Sequence, residues 1–106
     1  MYDEIVIPEG LDAVIVSLCA DYFRRADVIG KRTAPYNVIM EYRFLNYRMM
    51  NAAVEIAGPR DASAFIRDIG KNIGYTESDL YLLSERAYKI RKREVKYNIA
   101  RRLSLI

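Results

Sequence analysis

The sequence predicts an all-α protein: a long antiparallel helical hairpin followed by a helix-turn-helix unit with an extended basic C-terminal helix. Three observations predict it. Apolar residues recur at i, i+3, i+4, i+7 through most of the chain. Proline and glycine punctuate those periodic blocks. No segment alternates convincingly like a strand, and Glu4–Ile7 adds at most a short extended piece. At 106 residues one domain is expected, 1–106, with residues 11–57 as the hairpin and 61–106 as the second unit.

The first block runs from Leu11 to Ile29. Its stripe is Leu11, Val14, Ile15, Leu18, Cys19, Tyr22, Phe23, Ala26 and Ile29, with Gly30 placed as a C-terminal cap. Asp21, Arg24, Arg25 and Asp27 fall on the exposed face. Thr33 is placed to cap the second helix, with Pro35 in its first turn, where a missing N–H costs little. The stripe there is Val38, Ile39, Tyr42, Leu45, Met49, Met50, Ala53 and Ile56, and Gly58-Pro59 ends it. Two such helices joined by a short loop pack most simply as an antiparallel pair.

Asp61 is placed to cap a third helix, about Ala62–Ile73, facing Phe65, Ile66, Ile69 and Ile73 inward. Gly74 ends it. Thr76 then caps a fourth helix, with Asp79 completing an approximate capping box and Leu80, Leu83, Ala87 and Ile90 facing inward. Beyond them, Val95, Ile99, Leu103 and Ile106 form a second stripe. At about 100° per residue it is rotated roughly a third of a turn from the first. A straight helix cannot face one core with both. The helix bends near Arg91–Glu94, or its end packs on the hairpin or on another chain. Val95, Ile99 and Leu103 are therefore candidates for a homodimer or partner contact.

Residues 85–106 hold eight Lys/Arg and two Glu, net +6 (8 − 2); the whole chain is +3, so residues 1–84 carry −3. A basic C-terminal segment on an acidic body points to an anionic partner, or else to a solvated helix face whose aliphatic stems cover the core.

Catalysis is not expected. The chain has no histidine, which removes the commonest general base and zinc ligand. Cys19, the only cysteine, lies on an apolar stripe and reads as a core residue, and no disulfide can form within the chain. No phosphate-cradling glycine loop occurs. Glu77 and Asp79 are explained by a helix N-terminus, and Asp61 and Asp68, seven apart, have nothing beside them for acid–base work. No metal or cofactor is implied. The opening MYDEIVIPEG is acidic rather than signal-like, and the run Leu11–Ala20 is too short for a membrane span, so a cytoplasmic protein without membrane contact is expected.

The functional lead is Phe65–Leu83, FIRDIGKNIGYTESDLYLL. Gly70 is the small residue that lets one helix cross another, Gly74 the turn, Thr76 the cap, and Leu80 and Leu83 the pins of a helix-turn-helix. The segment resembles the helix-turn-helix of sigma-factor region 4 and of small phage-type late-transcription regulators, in which a phrase like I-A-x-x-L-G-x-S precedes the recognition helix. Here IGKNIGYT occupies that phrase, about a quarter of the chain is covered, and the basic continuation SERAYKIRKRE follows.

The resemblance implies duplex DNA as partner, with Thr76, Glu77, Ser78 and Tyr81 nearest the base edges and Lys71, Asn72, Arg86 and Lys89 on phosphates. Two acids, Glu77 and Asp79, depart from that pattern at the would-be reading edge. Downstream, Lys89, Arg91, Lys92, Arg93, Lys96, Arg101 and Arg102, interleaved with Tyr88 and Tyr97, form the other candidate contact surface. The alternative is a non-enzymatic helical module that binds protein or serves as an assembly subunit.

Overall fold

The computed structural model describes residues 5–80 and 82–106. They form α1 (Glu9–Ala20), α2 (Tyr22–Lys31), α3 (Tyr36–Gly70), a 3₁₀ turn (Tyr75–Glu77) and α4 (Glu85–Arg102). The molecule is elongated, 42 × 28 × 21 Å. α3 is the spine, and α1, α2 and α4 all pack on it. Between them they bury one cluster that includes Ile15, Cys19, Met49, Phe65, Ile66, Ile69, Tyr88, Val95 and Ile99.

The predicted first helix is interrupted at Asp21 (φ −93°, ψ −5°), whose carboxylate takes Arg24 at 2.5 Å and Arg25 at 3.3 Å. Arg25 is not on the exposed face expected of it: it is 3% exposed, because its guanidinium finds acceptors inside. It donates to Leu18 O and Asn46 Oδ1, both at 2.8 Å, while Asn46 donates to Tyr22 O at 3.1 Å. Gly30 is not the cap either. The helix runs through Lys31, and Arg32 turns the chain in the left-handed region at φ 52°. Thr33 makes no capping bond; Pro35 stands at the N-cap of α3.

α3 carries a kink. Gly58 has φ 81° and ψ 164°, a conformation reserved almost wholly for glycine. The helix resumes at once, with Pro59 in its first turn, where no N–H is needed. Asp61 therefore lies inside the helix instead of capping it, paired with Arg60 at 3.1 Å. The kink orphans carbonyls of the arm before it, and Arg91 of α4 donates to one of them, Ile56 O, at 2.8 Å.

The fourth helix begins at Glu85, not after Thr76. Ser84 caps it, its Oγ accepting from Ala87 N at 3.1 Å. Residues 71–80 and 82–84 instead form an irregular connector around the short 3₁₀ turn. A buried carboxylate decides this. Asp68, 0% exposed, draws the Ser78 hydroxyl in at 2.5 Å and the Tyr88 hydroxyl at 2.9 Å.

With the later start, Leu80 and Leu83 precede α4, and the two conflicting stripes reduce to one: Tyr88, Val95 and Ile99, all within 1% of full burial. Val95 and Ile99 thus pack inside this chain's own core and are closed to a partner. Of the proposed contact residues only Leu103 reaches the surface, half-buried.

Gly70 does permit a close crossing, but with α1. A Cβ there would stand 2.5 Å from Ala20 N and 2.6 Å from the Cys19 carbonyl carbon.

Candidate nucleic-acid interface

α4 runs 18 residues from the Ser84 cap, with Glu85 in its first turn favoured by the helix dipole. Placed at about 100° per residue, Arg86, Lys89, Lys92, Arg93 and Lys96 fall within an arc of roughly 120°. That arc lies beside the buried Tyr88–Val95–Ile99 stripe and turns outward from it. The ridge has two rows. Arg86, Lys89 and Arg93 are exposed, while Lys92 and Lys96 are half-buried along its inner edge.

The inner row is held by the protein. Lys92 Nζ donates to Ile73 O at 2.6 Å and lies 5.5 Å from the Tyr88 ring centroid. Burial, then the neighbouring Lys96 charge, lower its pKa below the usual lysine value. Lys96 pairs with Asp12 of α1 at 3.0 Å, and in the outer row Lys89 reaches Glu85 at 3.7 Å. An open groove of about 350 Å³ follows the inner row, floored by Tyr88 and bounded by Ile5, Ile7, Asp12, Gly74 and Tyr75. It is amphipathic: the lysine ammonium groups and the Arg93 guanidinium share its lining with Asp12 and with apolar and aromatic side chains.

The remaining predicted contacts are dispersed. Lys71 and Asn72 are exposed just past the end of α3, Asn72 in the left-handed region at φ 54°. Thr76 and Glu77 are exposed on the 3₁₀ turn and do not begin a helix. Ser78 is 8% exposed, its hydroxyl donating to Asp68 and accepting from Leu80 N at 3.1 Å, so it is not presented to a base edge. Tyr81 lies outside the described residues. Arg91 leaves the ridge for Ile56 O. Arg101 donates to Asn98 Oδ1 at 3.0 Å, and Arg102 pairs with Glu55.

The connector is fastened to α3 and onto itself by polar contacts the hydrophobic pattern does not announce. Asp68 also accepts from Arg67, which reaches Asp79 at 3.1 Å. Tyr75 Oη donates to Leu83 O at 2.6 Å. Burial and the Asp68 hydrogen bond push the Tyr88 phenol up to about 12. Asp12, Asp68 and Ser84 are the positioning residues missed in sequence. The signals were present: an acid between Phe65, Ile66 and Ile69 on an inward face, and a Ser-Glu pair opening the basic run.

Among the described residues no cluster of histidine, cysteine, aspartate and glutamate is placed to hold a metal, and no helix is long and apolar enough to cross a membrane. No family model, curated protein or solved structure matches the chain.

Proposed function

We propose that this protein is a small DNA-associated regulator that grips duplex DNA through the outward ridge of α4. The observation that carries the reading is the clustering of Arg86, Lys89, Lys92, Arg93 and Lys96 on one side of one helix, five cations against the two acids, Asp12 and Glu85, that pair with Lys96 and Lys89. Phosphate neutralisation supplies sequence-independent affinity, and cations in a row along a rigid helix can follow one strand. The regulatory part of the reading, a phage-type late-transcription factor, rests on the resemblance of residues 65–83 to sigma region 4. In this reading the Gly74 corner aims α4, and the exposed Thr76 and Glu77 stand beside the duplex without forming a recognition helix.

The test is titration of a labelled duplex at several salt concentrations. Three to four engaged cations predict a slope of about −3 to −4 in log K against log salt on B-DNA. Absence of binding below about 100 μM at low salt, weaker than ordinary non-specific affinity, overturns the proposal. The second reading, a protein-interaction module, is favoured by one observation: Tyr36, Phe44 and Tyr47 stand 60–77% exposed on α3.

A further inference from the structure

The outward face of α3 carries large apolar side chains open to solvent. Tyr36 is 77% exposed, Met40 42%, Phe44 60% and Tyr47 67%. At about 100° per residue the four fall within roughly 80° of the helix circumference, one continuous stripe. Hollows of about 470 Å³ beside Met40, Phe44 and Leu103 and about 260 Å³ beside Phe44 and Tyr47 run along it. Aromatic residues, methionine and arginine are the side chains enriched at protein interfaces, and a stripe of this kind is rare on a surface without a partner.

The charges on the stripe's flank select the partner. Glu41 and Arg48 are seven apart, hence on the same flank, and neither has an ion pair within the chain among the described residues. Arg48 instead lies 4.5 Å over the Phe44 ring. When two identical helices pack antiparallel about a two-fold axis, each flank meets its own copy running the other way. An axis beside Phe44 then sets Phe44 against the partner's Phe44 and brings Glu41 opposite the partner's Arg48, twice. A parallel pair would turn the same flank toward the side that carries Arg43, which puts no acid opposite Arg48, so only the antiparallel arrangement pairs both charges.

We propose that the Tyr36–Tyr47 face of α3 is the contact between two copies of this chain, packed antiparallel with Phe44 at the two-fold axis and Glu41 paired across it with Arg48. One helix face with Leu103 at its border covers less than the roughly 800 Å² per partner of a standard interface, so the dimer belongs to the weak, micromolar class. The contact uses none of the α4 ridge residues, so it stands or falls apart from DNA binding.

Sedimentation of the full chain from about 10 to about 300 μM reads the equilibrium directly. The mass is expected to rise from the 12.3 kDa monomer toward twice that value. Phe44→Glu should hold the chain monomeric with unchanged helical circular dichroism, since the side chain is exposed; Tyr47→Glu provides a second disruption at an equally exposed position. Glu41→Arg and Arg48→Glu should each weaken the dimer by about tenfold or more, and the double variant should restore it to within about threefold. A wild-type mass that stays monomeric, or a dimer indifferent to Phe44→Glu and Tyr47→Glu, overturns the proposal. A double variant no tighter than the singles overturns the antiparallel pairing.

Discussion

The Tyr88 hydroxyl donates to the buried Asp68 carboxylate at 2.9 Å, tying α4 to the second arm of α3 across 20 residues of sequence. Ser78 donates to the same oxygen at 2.5 Å, so one carboxylate fastens three segments. Asp68→Ala strips the acceptor from two buried hydroxyls and from Arg67, and is expected to cost about 3 kcal/mol or more in urea unfolding. Because the connector precedes the basic helix, the variant should also lose protection of the amides in residues 73–83 before the rest of the protein opens, measured by hydrogen exchange.

Gly70→Ala tests the crossing of α1 and α3. The added methyl would meet backbone atoms of Ala20 and Cys19 at 2.5–2.7 Å, where no side chain can rotate away. Better helix propensity returns less than about 1 kcal/mol, against about 1–3 kcal/mol or more for the forced displacement. A net loss of about 2 kcal/mol in denaturant midpoint analysis is expected. Gly58→Ala makes the contrast. Nothing lies within 4 Å of its missing Cβ, so its cost of about 1–3 kcal/mol is wholly one of backbone conformation at φ 81°.

The ridge predicts unequal effects among the arginines and lysines. Replacing Arg86, Lys89 or Arg93 with alanine should each reduce the salt slope of DNA binding by about 1. Arg101→Ala, outside the arc, should leave the slope unchanged. Equal effects at all four positions would indicate diffuse charge attraction rather than a ridge.

Alkaline pH should destabilise the fold. Burial pushes the Cys19 thiol from 9.0 up to about 12, and the Tyr88 phenol rises from 10.0 to about 12. Both groups therefore keep their protons in the native state after the unfolded chain has lost them. Stability from this source is complete below pH 9 and declines between pH 9 and 12, by up to about 1.4 kcal/mol per pH unit per group. Lys92, lowered in the fold, works in the opposite direction and offsets part of the loss. Urea midpoints from pH 7 to 11 check the sign. At pH 8, Cys19 should react with a thiol reagent only as fast as the protein opens.

The helical class and most core positions were legible in sequence because the 3.6-residue period survives in Ile15, Cys19, Met49, Ala53, Phe65, Ile66 and Ile69. What misled was local plausibility. Thr76 followed by Asp79 looks like a helix start, and Leu80 and Leu83 continue the pattern. Yet Ser78 is captured by Asp68, ten residues earlier, and a tertiary hydrogen bond outweighs a local cap. Counting Leu80 and Leu83 as helical sets a reference stripe that turns Val95 and Ile99 away from the core, whereas α4 begins only at Glu85. Arg25 was hidden for another reason: hydrophobic periodicity scores a guanidinium as surface and cannot see Asn46, 21 residues away, waiting as its acceptor. The basic ridge was legible as composition, but its division between Arg91 and its neighbours required the true phase of α4.

Arg25 also limits how α2 can seat on α3. Its guanidinium engages Leu18 O, Asp21 and Asn46 together, and Asn46 in turn holds Tyr22 O. Oily side chains tolerate sliding, since one methyl group replaces another. A buried guanidinium held by an amide of the facing helix does not. Leu18 O and Asp21 travel with α2, so shifting α2 by one turn along α3, about 5.4 Å, would take Asn46 from this buried cation and from Tyr22 O together. Arg25 and Asn46 therefore act as a detent, setting the neighbouring misaligned pairings of these two helices at the cost of unmade buried hydrogen bonds.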